Sequence, residues 1–393
     1  GAVTLSGAFD FEGQALTFNA SGNTVDGTMD VSNAGVFTTA DIADLTVTGK
    51  FTQDGTSTSS IGADITATAG MDLTRAILLT GTDLVTLATG GAMDQDIVLG
   101  TDATTDITGS GQALALDAGA AGDITIKGDV GVGGAALGDI TVVGADQALF
   151  EAAVTAASFT QSGANTSSGL TTFNGAVTLS GNFDFTGQSL ALNAALHGGG
   201  KVDVANAGIF TTAAAGDINS TGAFKLSGTG ASSLAGDITT TAGSITLTAA
   251  SLASDITLNT NSSGIIRIGE LDSALGHTNG LTLIAGNKNI IFNEAVGAIQ
   301  RLGAVKVVSA HDVSVSNAKA FNATSIEQAA GTGRTSFGGT VSTSGQIGGG
   351  NLNGIDITTN EVAFKQAVTT TGGGSVRIAN AGDLQIDGGA NFS

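Results

Sequence analysis

The 393-residue sequence contains no proline, cysteine, tryptophan or tyrosine, and only 12% of its residues are charged. The lack of cysteine excludes a disulfide scaffold, a cysteine-ligated zinc site and a cysteine nucleophile. The lack of proline, together with the lack of a strict Gly-X-Y period, excludes a collagen triple helix. There is also no run of 18 apolar residues, so we predict no membrane span.

Basic residues are also few, because 13 Lys and Arg face 34 Asp and Glu, which gives a net charge of −21. Residues 1–150 carry 19 of the acidic residues and only 3 basic ones, so one end of the chain holds most of the charge. Binding to nucleic acid requires basic groups that neutralise phosphates. We therefore expect no nucleic-acid partner.

Glycine and hydrophobic residues are abundant, with 61 Gly and a hydrophobic fraction of 41%. This composition is too apolar for a disordered chain. Straight-chain helix formers are scarce, whereas Thr, Val and Ile are frequent between the glycines. The composition therefore favours β-structure with many turns.

A long internal repeat is evident. Residues 1–22 (GAVTLSGAFDFEGQALTFNASG) match residues 175–196 (GAVTLSGNFDFTGQSLALNAAL) at 15 of 22 positions, and DVSNAGVFTTA at 30–40 matches DVANAGIFTTA at 203–213. A third copy of the motif appears as IANAG at 378–382. We predict one continuous domain over 1–393, with repeat boundaries at about 1–174, 175–348 and a partial repeat from 349.

A shorter period lies within the long one. The motif Phe-x-x-(Ala/Gly/Thr)-Val begins at Phe150 and again 23 residues later at Phe173. Apolar and polar residues alternate between such motifs, as in Ala176-Val177-Thr178-Leu179-Ser180, which is strand periodicity. Coils of about 23 residues built from short strands predict an all-β parallel β-helix, or β-solenoid. A sandwich or jelly roll is the alternative architecture.

The strings GAVTLSG, GDITTTAG, SITLTAASL and FNGAV resemble the repeats of filamentous-haemagglutinin-like large exoproteins, β-helical adhesins and autotransporter passengers. This resemblance implies a right-handed parallel β-helix that is exported to the cell surface. There it would act as a stalk, an adhesin or a matrix fibre. The amino-terminal secretion domain of that family is not visible in this sequence.

Candidate sites for chemistry are few. Asp94, Asp96, Asp102 and Asp106 lie in turn-like stretches, and their oxygens are ligands that calcium accepts. The same acids, with Arg75 as the nearest base, are the carboxylates that a polysaccharide-degrading β-helix enzyme would need. No Trp or Tyr is present to stack on a sugar ring. The three histidines, His197, His277 and His311, lie far apart in sequence and predict no cluster.

We therefore predict a non-enzymatic structural component of an extracellular fibre, stalk or surface adhesin, without an obligatory cofactor. One alternative is an extracellular binding module for a glycan, a cation or a host surface, and its glycan could be a cell-surface or matrix polysaccharide. The other alternative is a polysaccharide-degrading enzyme.

The two ends suggest self-association. Phe392-Ser393 followed by Gly1-Ala2-Val3 reproduces the Phe-x-Gly-Ala-Val motif of residues 173–177. We therefore expect head-to-tail stacking, either between copies or between repeats of a longer chain.

Overall fold

The computed structural model describes residues 1–82, 84–162, 169–387, 389 and 391–393. The chain divides into two compact units, and each is described by itself. Unit 1 comprises Gly1–Gly199 and Asn206–Gly208, and unit 2 comprises Gly200–Ala205 and Ile209–Ser393. In the residues described, all regular structure is β-strand and no helix occurs.

The strands of unit 1 are short and follow one another at close intervals. They are β1 (Thr4–Leu5), β2 (Phe9–Gly13), β3 (Leu16–Phe18), β4 (Asn23–Val25), β5 (Met29–Asn33), β6 (Phe37–Thr39), β7 (Leu45–Val47), β8 (Phe51–Gln53), β9 (Ser59–Ile61), β10 (Ile65–Ala67), β11 (Met71–Leu73), β12 (Ile77–Leu79), β13 (Val85–Thr89), β14 (Ile97–Leu99), β15 (Ile107–Thr108), β16 (Leu114–Asp117), β17 (Ile124–Ile126), β18 (Leu137–Gly144), β19 (Gln147–Phe150), β20 (Val154–Ser162), β21 (Leu170–Phe173), β22 (Val177–Leu179), β23 (Phe183–Gly187), β24 (Ser189–Leu192) and β25 (Leu196–Gly198).

The strands of unit 2 are also short and closely spaced. Its first strand ends at Asn206, which is assigned to unit 1. The strands are β26 (Val202–Asn206), β27 (Phe210–Thr212), β28 (Ile218–Ser220), β29 (Phe224–Leu226), β30 (Ser232–Leu234), β31 (Ile238–Thr240), β32 (Ile245–Leu252), β33 (Ile256–Asn259), β34 (Ile266–Ser273), β35 (Leu281–Ile284), β36 (Ile290–Phe292), β37 (Leu302–Ser309), β38 (Val313–Val315), β39 (Phe321–Gln328), β40 (Arg334–Phe337), β41 (Val341–Thr343), β42 (Asn353–Thr359), β43 (Glu361–Phe364), β44 (Val368–Thr370), β45 (Ser375–Asn380) and β46 (Leu384–Ile386).

Unit 1 is built from three parallel ladders. Ladder A contains β1, β4, β7, β10, β13, β16, β18, β20 and β23. Ladder B contains β2, β5, β8, β11, β14, β17, β19, β21 and β24. Ladder C contains β3, β6, β9, β12, β15, bridges through Val130 and Val154, and then β22 and β25. One strand from each ladder makes one turn.

The strands of unit 2 are likewise arranged in three parallel ladders. One contains β28, β31, β33, β35, β37, β39, β42 and β45. A second contains β26, β29, β32, β34, β36, β38, β40, β43 and β46. The third contains β27, β30, β32, β34, a bridge through Val296, then β39, β41, β44 and finally Phe392.

The residue pattern explains why the strands form. In β7, Leu45 and Val47 are buried at 1% and 0% exposure, and Thr46 between them faces solvent. Leu45 pairs with Ile65 in the next turn, so like side chains stack along the inside of the ladder. Every interior strand is hydrogen-bonded on both sides, and proline, which lacks the N–H, would break such a ladder. The absence of proline therefore has a direct structural reason.

Phenylalanine supplies much of the core. Fourteen of the 17 Phe side chains are buried, and several stack from turn to turn. The rings of Phe150 and Phe173 lie parallel with centroids 4.7 Å apart, and those of Phe337 and Phe364 lie 5.4 Å apart. Such stacked pairs add to the stability gained from burial alone. Phenylalanine therefore fills much of a core that is stacked from turn to turn.

Glycine is required where corners of successive turns meet. Gly91 and Gly119 both have positive φ, at 77° and 69°. A Cβ added to Gly119 would lie 2.3 Å from the Cα of Gly91, so neither position tolerates a side chain.

Together these features confirm the predicted fold class: an all-β parallel β-solenoid of about 17 turns, with successive turns about 22 residues apart. Right-handed winding, the single domain over 1–393 and the repeat boundaries stay predictions.

The long repeat does not correspond to a whole number of turns. By sequence, β1 is the counterpart of β22, yet β1 lies in ladder A and β22 lies in ladder C. The two copies of GAVTLSG within unit 1 therefore lie on different faces of the solenoid. The same sequence forms the same local strand, but its position around the turn changes.

Candidate functional site

Aspartate residues recur immediately before strands and bond to the following turn. Asp44 precedes β7, and its Oδ1 accepts a hydrogen bond from the backbone N–H of Asp64, 3.3 Å away. The Oδ1 of Asp64 in turn accepts one from the N–H of Thr86 at 2.7 Å. Hydrogen bonds to ionised acceptors are stronger than neutral ones. These carboxylates therefore join successive turns at the corners.

The same arrangement recurs in both units. We call its members the corner aspartates: Asp44, Asp64, Asp96, Asp106, Asp123, Asp129, Asp217, Asp237, Asp255 and Asp312. Each carries a carboxylate that accepts a backbone N–H from the following turn. This role was not predicted above. The signal for it in the sequence is an Asp directly before Ile, Leu or Val. A large part of the negative charge is thus structural.

Two of the predicted calcium ligands, Asp94 and Asp96, come together with residues that the sequence did not single out. They line a groove of about 370 Å³ whose wall also includes Asp123 and Asp146. We call this the acidic groove. Among the described residues, no three His, Cys, Asp or Glu side chains are grouped closely enough to hold a metal ion. Calcium binding stays a prediction.

The surroundings of one residue in the acidic groove, Asp123, oppose ionisation of its carboxyl group. Burial raises the pKa of the Asp123 carboxyl, and the nearby charges of Asp96 and Asp146 raise it further. The hydrogen bond from the N–H of Gln147 acts in the opposite direction and only partly offsets this effect. The groove is therefore a place where a cation or a proton relieves repulsion between carboxylates.

The other two predicted ligands do not line the acidic groove. Asp102 accepts hydrogen bonds from the N–H and hydroxyl of Thr104, at 2.9 and 2.7 Å, and these bonds lower its pKa. Asp106 is a corner aspartate that accepts the N–H of Asp129. Arg75, the base expected of an enzyme, donates its Nε–H to the carbonyl oxygen of Gly55 at 2.5 Å. The four predicted acids are therefore not brought together at one site.

A second groove lies in unit 2 and is mostly apolar. It has a volume of about 560 Å³, with Ala249 and Ala250 among its lining residues. Leu275 and Ile299 also line it and are 78% and 74% exposed. The buried carboxylate of Asp272 accepts the N–H of Ile299 at 2.9 Å and so holds that loop in place. The sequence gives no signal for this groove, because its walls come from β30, β32 and β34 and the loops beside them, which are brought together only by the stacking of successive turns.

The three histidines belong to different segments of the chain. His197 lies in β25 of unit 1, whereas His277 and His311 lie in unit 2. His311 has an acidic neighbour, with its Nδ1 atom 3.1 Å from the Oδ1 of Asp312. Both side chains of this pair are largely exposed.

No known protein family, no curated protein and no solved structure matches the chain. The resemblance to filamentous-haemagglutinin-like repeats therefore has no support from a family match, and what is established is a β-helical repeat protein. Among the residues described, no helix is long and apolar enough to cross a membrane.

Proposed function

We propose that the chain is a structural, non-enzymatic component of an extracellular fibre, stalk or surface adhesin. The observation that carries this proposal is that three kinds of interaction run from turn to turn within the units. The backbone ladders, the phenylalanine stacks and the corner aspartates all join one turn to the next. In solenoids, contacts between neighbouring turns supply most of the stability.

Arg301 gives a further example of bonding along the ladder. Its Nη1 donates to the carbonyl oxygens of Ala323 and Ser342, at 2.9 and 2.6 Å, and its Nη2 donates to the hydroxyl of Ser342 at 2.9 Å. Because Ala323 pairs with Thr343 in the following turn, one guanidinium bonds to two successive turns. Such bonding suits a protein that carries mechanical load.

The charge also suits an extracellular fibre. A net charge of −21 keeps neighbouring copies apart laterally, since like charges repel, and so favours a soluble material without side-to-side aggregation. Export to the cell surface is inferred from the resemblance to exoprotein repeats.

Immunogold electron microscopy of the native material tests this function. Antibody against the 393-residue chain should label uniform fibres or stalks outside the cell, at many points along their length. Label confined to soluble particles, or to the cell interior, would contradict the proposal.

The second candidate function is a binding module, favoured by the acidic groove. The four carboxylates that line it, Asp94, Asp96, Asp123 and Asp146, are not grouped closely enough to ligate one ion together, but their summed negative charge would attract a hydrated divalent cation and so relieve their repulsion. If this groove binds calcium, the melting temperature of the chain rises in calcium relative to chelator, and D94N/D146N removes the rise. Equal melting temperatures in calcium and in chelator would show that the acidic groove does not bind calcium, and its charge would then serve only solubility.

A further inference from the structure

The mostly apolar groove of unit 2, which we call the apolar groove, has a floor made largely of small side chains. On this floor Ala249 pairs with Glu270, and Ser251 pairs with Asp272, so β32 and β34 lie side by side. β30 adds a third turn, because Ser233 pairs with Ser251. Since paired strands lie about 4.8 Å apart, the three strands give a floor about 10 Å wide. Alanine and serine leave most of this width open to a ligand.

The wall of the apolar groove is held in a fixed position. Leu275 and Ile299 form it, on loops of two successive turns. The Nε2 of Gln300 donates to the carbonyl oxygen of His277 at 2.7 Å and so joins the two loops. The Oδ1 of Asp272 accepts the N–H groups of residues 299 and 300, at 2.9 and 3.1 Å. Because a preformed site loses little conformational entropy when it binds, this wall suits recognition of a ligand.

Most polar groups of the apolar groove are already bonded within the protein. The hydroxyl of Ser251 donates to the carbonyl oxygen of Ser232 at 3.2 Å, and that of Ser273 accepts the N–H of Asn279 at 2.9 Å. The backbone of β32 pairs with β30 and with β34. A peptide lying here would lose water from its own N–H and C=O groups without gaining partners, which costs free energy. The groove therefore favours a ligand with an aliphatic body and few polar groups.

One charged group of the apolar groove remains free. Glu270 is exposed, and among the described residues its carboxylate has no hydrogen-bond or ion-pair partner. The other acid of the groove, Asp272, already accepts the two N–H groups of the wall. The described residues that line the groove include no Lys or Arg. Charge complementarity therefore calls for a cationic ligand.

We propose that the apolar groove binds an aliphatic amine, which is a hydrocarbon chain with one protonated amino group. The hydrocarbon covers Leu275 and Ile299, which are 78% and 74% exposed without it, and lies over Ala249. The ammonium group faces the carboxylate of Glu270. The volume of about 560 Å³ lies within the range of small-molecule sites. This inference goes beyond the proposed function and does not depend on it.

A tryptophan reporter measures binding, because the chain has no native Trp or Tyr. L275W places the fluorophore in the wall of the apolar groove, and I42W places one at an exposed position of unit 1. Octylammonium is titrated into each protein at pH 7. We expect the emission of L275W to move to shorter wavelength and to saturate, because the indole loses water when hydrocarbon covers it. The emission of I42W should stay unchanged.

Three further ligands show which chemistry the apolar groove recognises. Octanoate has the same chain length with the opposite charge, octan-1-ol has no charge, and butylammonium has half the chain length. Each buried methylene strengthens binding about fourfold, so we expect butylammonium to bind at least roughly tenfold more weakly than octylammonium. Octan-1-ol should bind about two- to fivefold more weakly, because an exposed carboxylate contributes modestly, and octanoate should bind more weakly still.

Substitutions in the L275W protein locate the site. E270Q keeps the side-chain size and removes the charge, so octylammonium should bind about two- to fivefold more weakly while octan-1-ol is unaffected. A249L fills the floor and should abolish the binding of both. The matched controls in unit 1 are E151Q, at an exposed glutamate, and A191L, at a half-buried strand alanine, and both should leave the affinities unchanged. Circular dichroism melting checks that each variant is folded.

Octanoate that binds as tightly as octylammonium, or an A249L protein that still binds octylammonium, would overturn the proposal. Tighter binding of the capped tripeptide acetyl-Leu-Lys-Leu-amide would also overturn it and would make a peptide the occupant. An emission of ligand-free L275W that shifts with protein concentration would make a second copy the occupant, with the same consequence. None of these outcomes bears on the labelling of native fibres, so this proposal and the proposed function fail separately.

Discussion

The Oδ1 of Asp96 accepts a hydrogen bond from the backbone N–H of Asp123 in the next turn, over 2.9 Å. Asp123 repeats the arrangement with the N–H of Gln147 at 3.0 Å. A carboxylate at a corner thus bonds a backbone N–H at or beside the start of a strand in the next turn. The acidity of the chain therefore contributes to turn-to-turn bonding as well as to solubility, and this leads to the first predictions.

Removal of a corner aspartate should weaken the solenoid. D64A removes the acceptor for the N–H of Thr86, and we expect the free energy of unfolding to fall by about 1 kcal/mol. The matched control is D54A, which removes an exposed acid that is not a corner aspartate. Urea denaturation followed by circular dichroism measures both. If the two substitutions changed the free energy of unfolding equally, the effect would come from the loss of negative charge and not from the loss of the hydrogen bond between turns.

The acidic groove should make stability depend on pH. Because the pKa of Asp123 is raised in the folded protein, its contribution to stability is complete below the unfolded value of about 3.9 and is lost as the pH rises through the folded value. D123N keeps an acceptor for the N–H of Gln147 and removes the repulsion. We expect D123N to melt higher than the parent at pH 7, with a smaller difference at pH 4. The exposed control D26N should show no such trend.

Asp356 should show the opposite pH dependence. Burial raises its pKa, but hydrogen bonds from Asn351, Arg377 and Asn353 outweigh this effect and lower the pKa below its ordinary value. Its contribution to stability is therefore present above the unfolded pKa and is lost as the pH falls through the folded value. D356N should loosen the loop formed by residues 347–353.

Amide hydrogen exchange measures that loop. The N–H groups of Ile347 and Asn351 are hydrogen-bonded within it, to Asn353 and Gly348, and should exchange faster in D356N at pH 7. At pH values low enough to protonate Asp356, parent and variant should exchange alike. Unchanged exchange at pH 7 would show that Asp356 does not hold the loop.

Substitution of equivalent core residues should reduce the free energy of unfolding more where the residue is more deeply buried. F183A removes a fully buried ring that stacks on Phe159 at 5.1 Å, and we expect a loss of about 3 to 5 kcal/mol. F9A removes its half-buried sequence counterpart, and we expect a loss of about 1 kcal/mol. Thermal and urea unfolding compare the two. Equal losses would show that burial does not determine the loss of stability at these two positions.

The fold could be predicted from the sequence because its signals are local. Alternation in segments such as Leu45-Thr46-Val47, glycine at corners and a repeat of about 23 residues all indicate a solenoid. The register could not be predicted, because turn length varies. Thr4, Thr24, Thr46 and Thr66 stack in ladder A, yet their spacings are 20, 22 and 20 residues. A fixed period therefore misaligns distant turns.

The candidate site was only partly predictable for the same reason. Asp94 and Asp96 are near each other in sequence, and the structure keeps them in one groove. Asp123 and Asp146 line the same groove because the corners of successive turns stack, so that residues one and two turns later lie beside Asp96. The corner aspartates became apparent once the turns were aligned, since the carboxylate and the N–H that it binds lie 20 to 27 residues apart.

Cryo-electron microscopy of the native extracellular material tests the central claim most directly. If stacked turns of this chain form the fibre, power spectra of the fibres should show a layer line at about 4.8 Å along the fibre axis, the spacing of paired strands. Antibody against the chain should bind those same fibres. Native material that consists of discrete particles, or of fibres without the 4.8 Å axial spacing, would contradict the account.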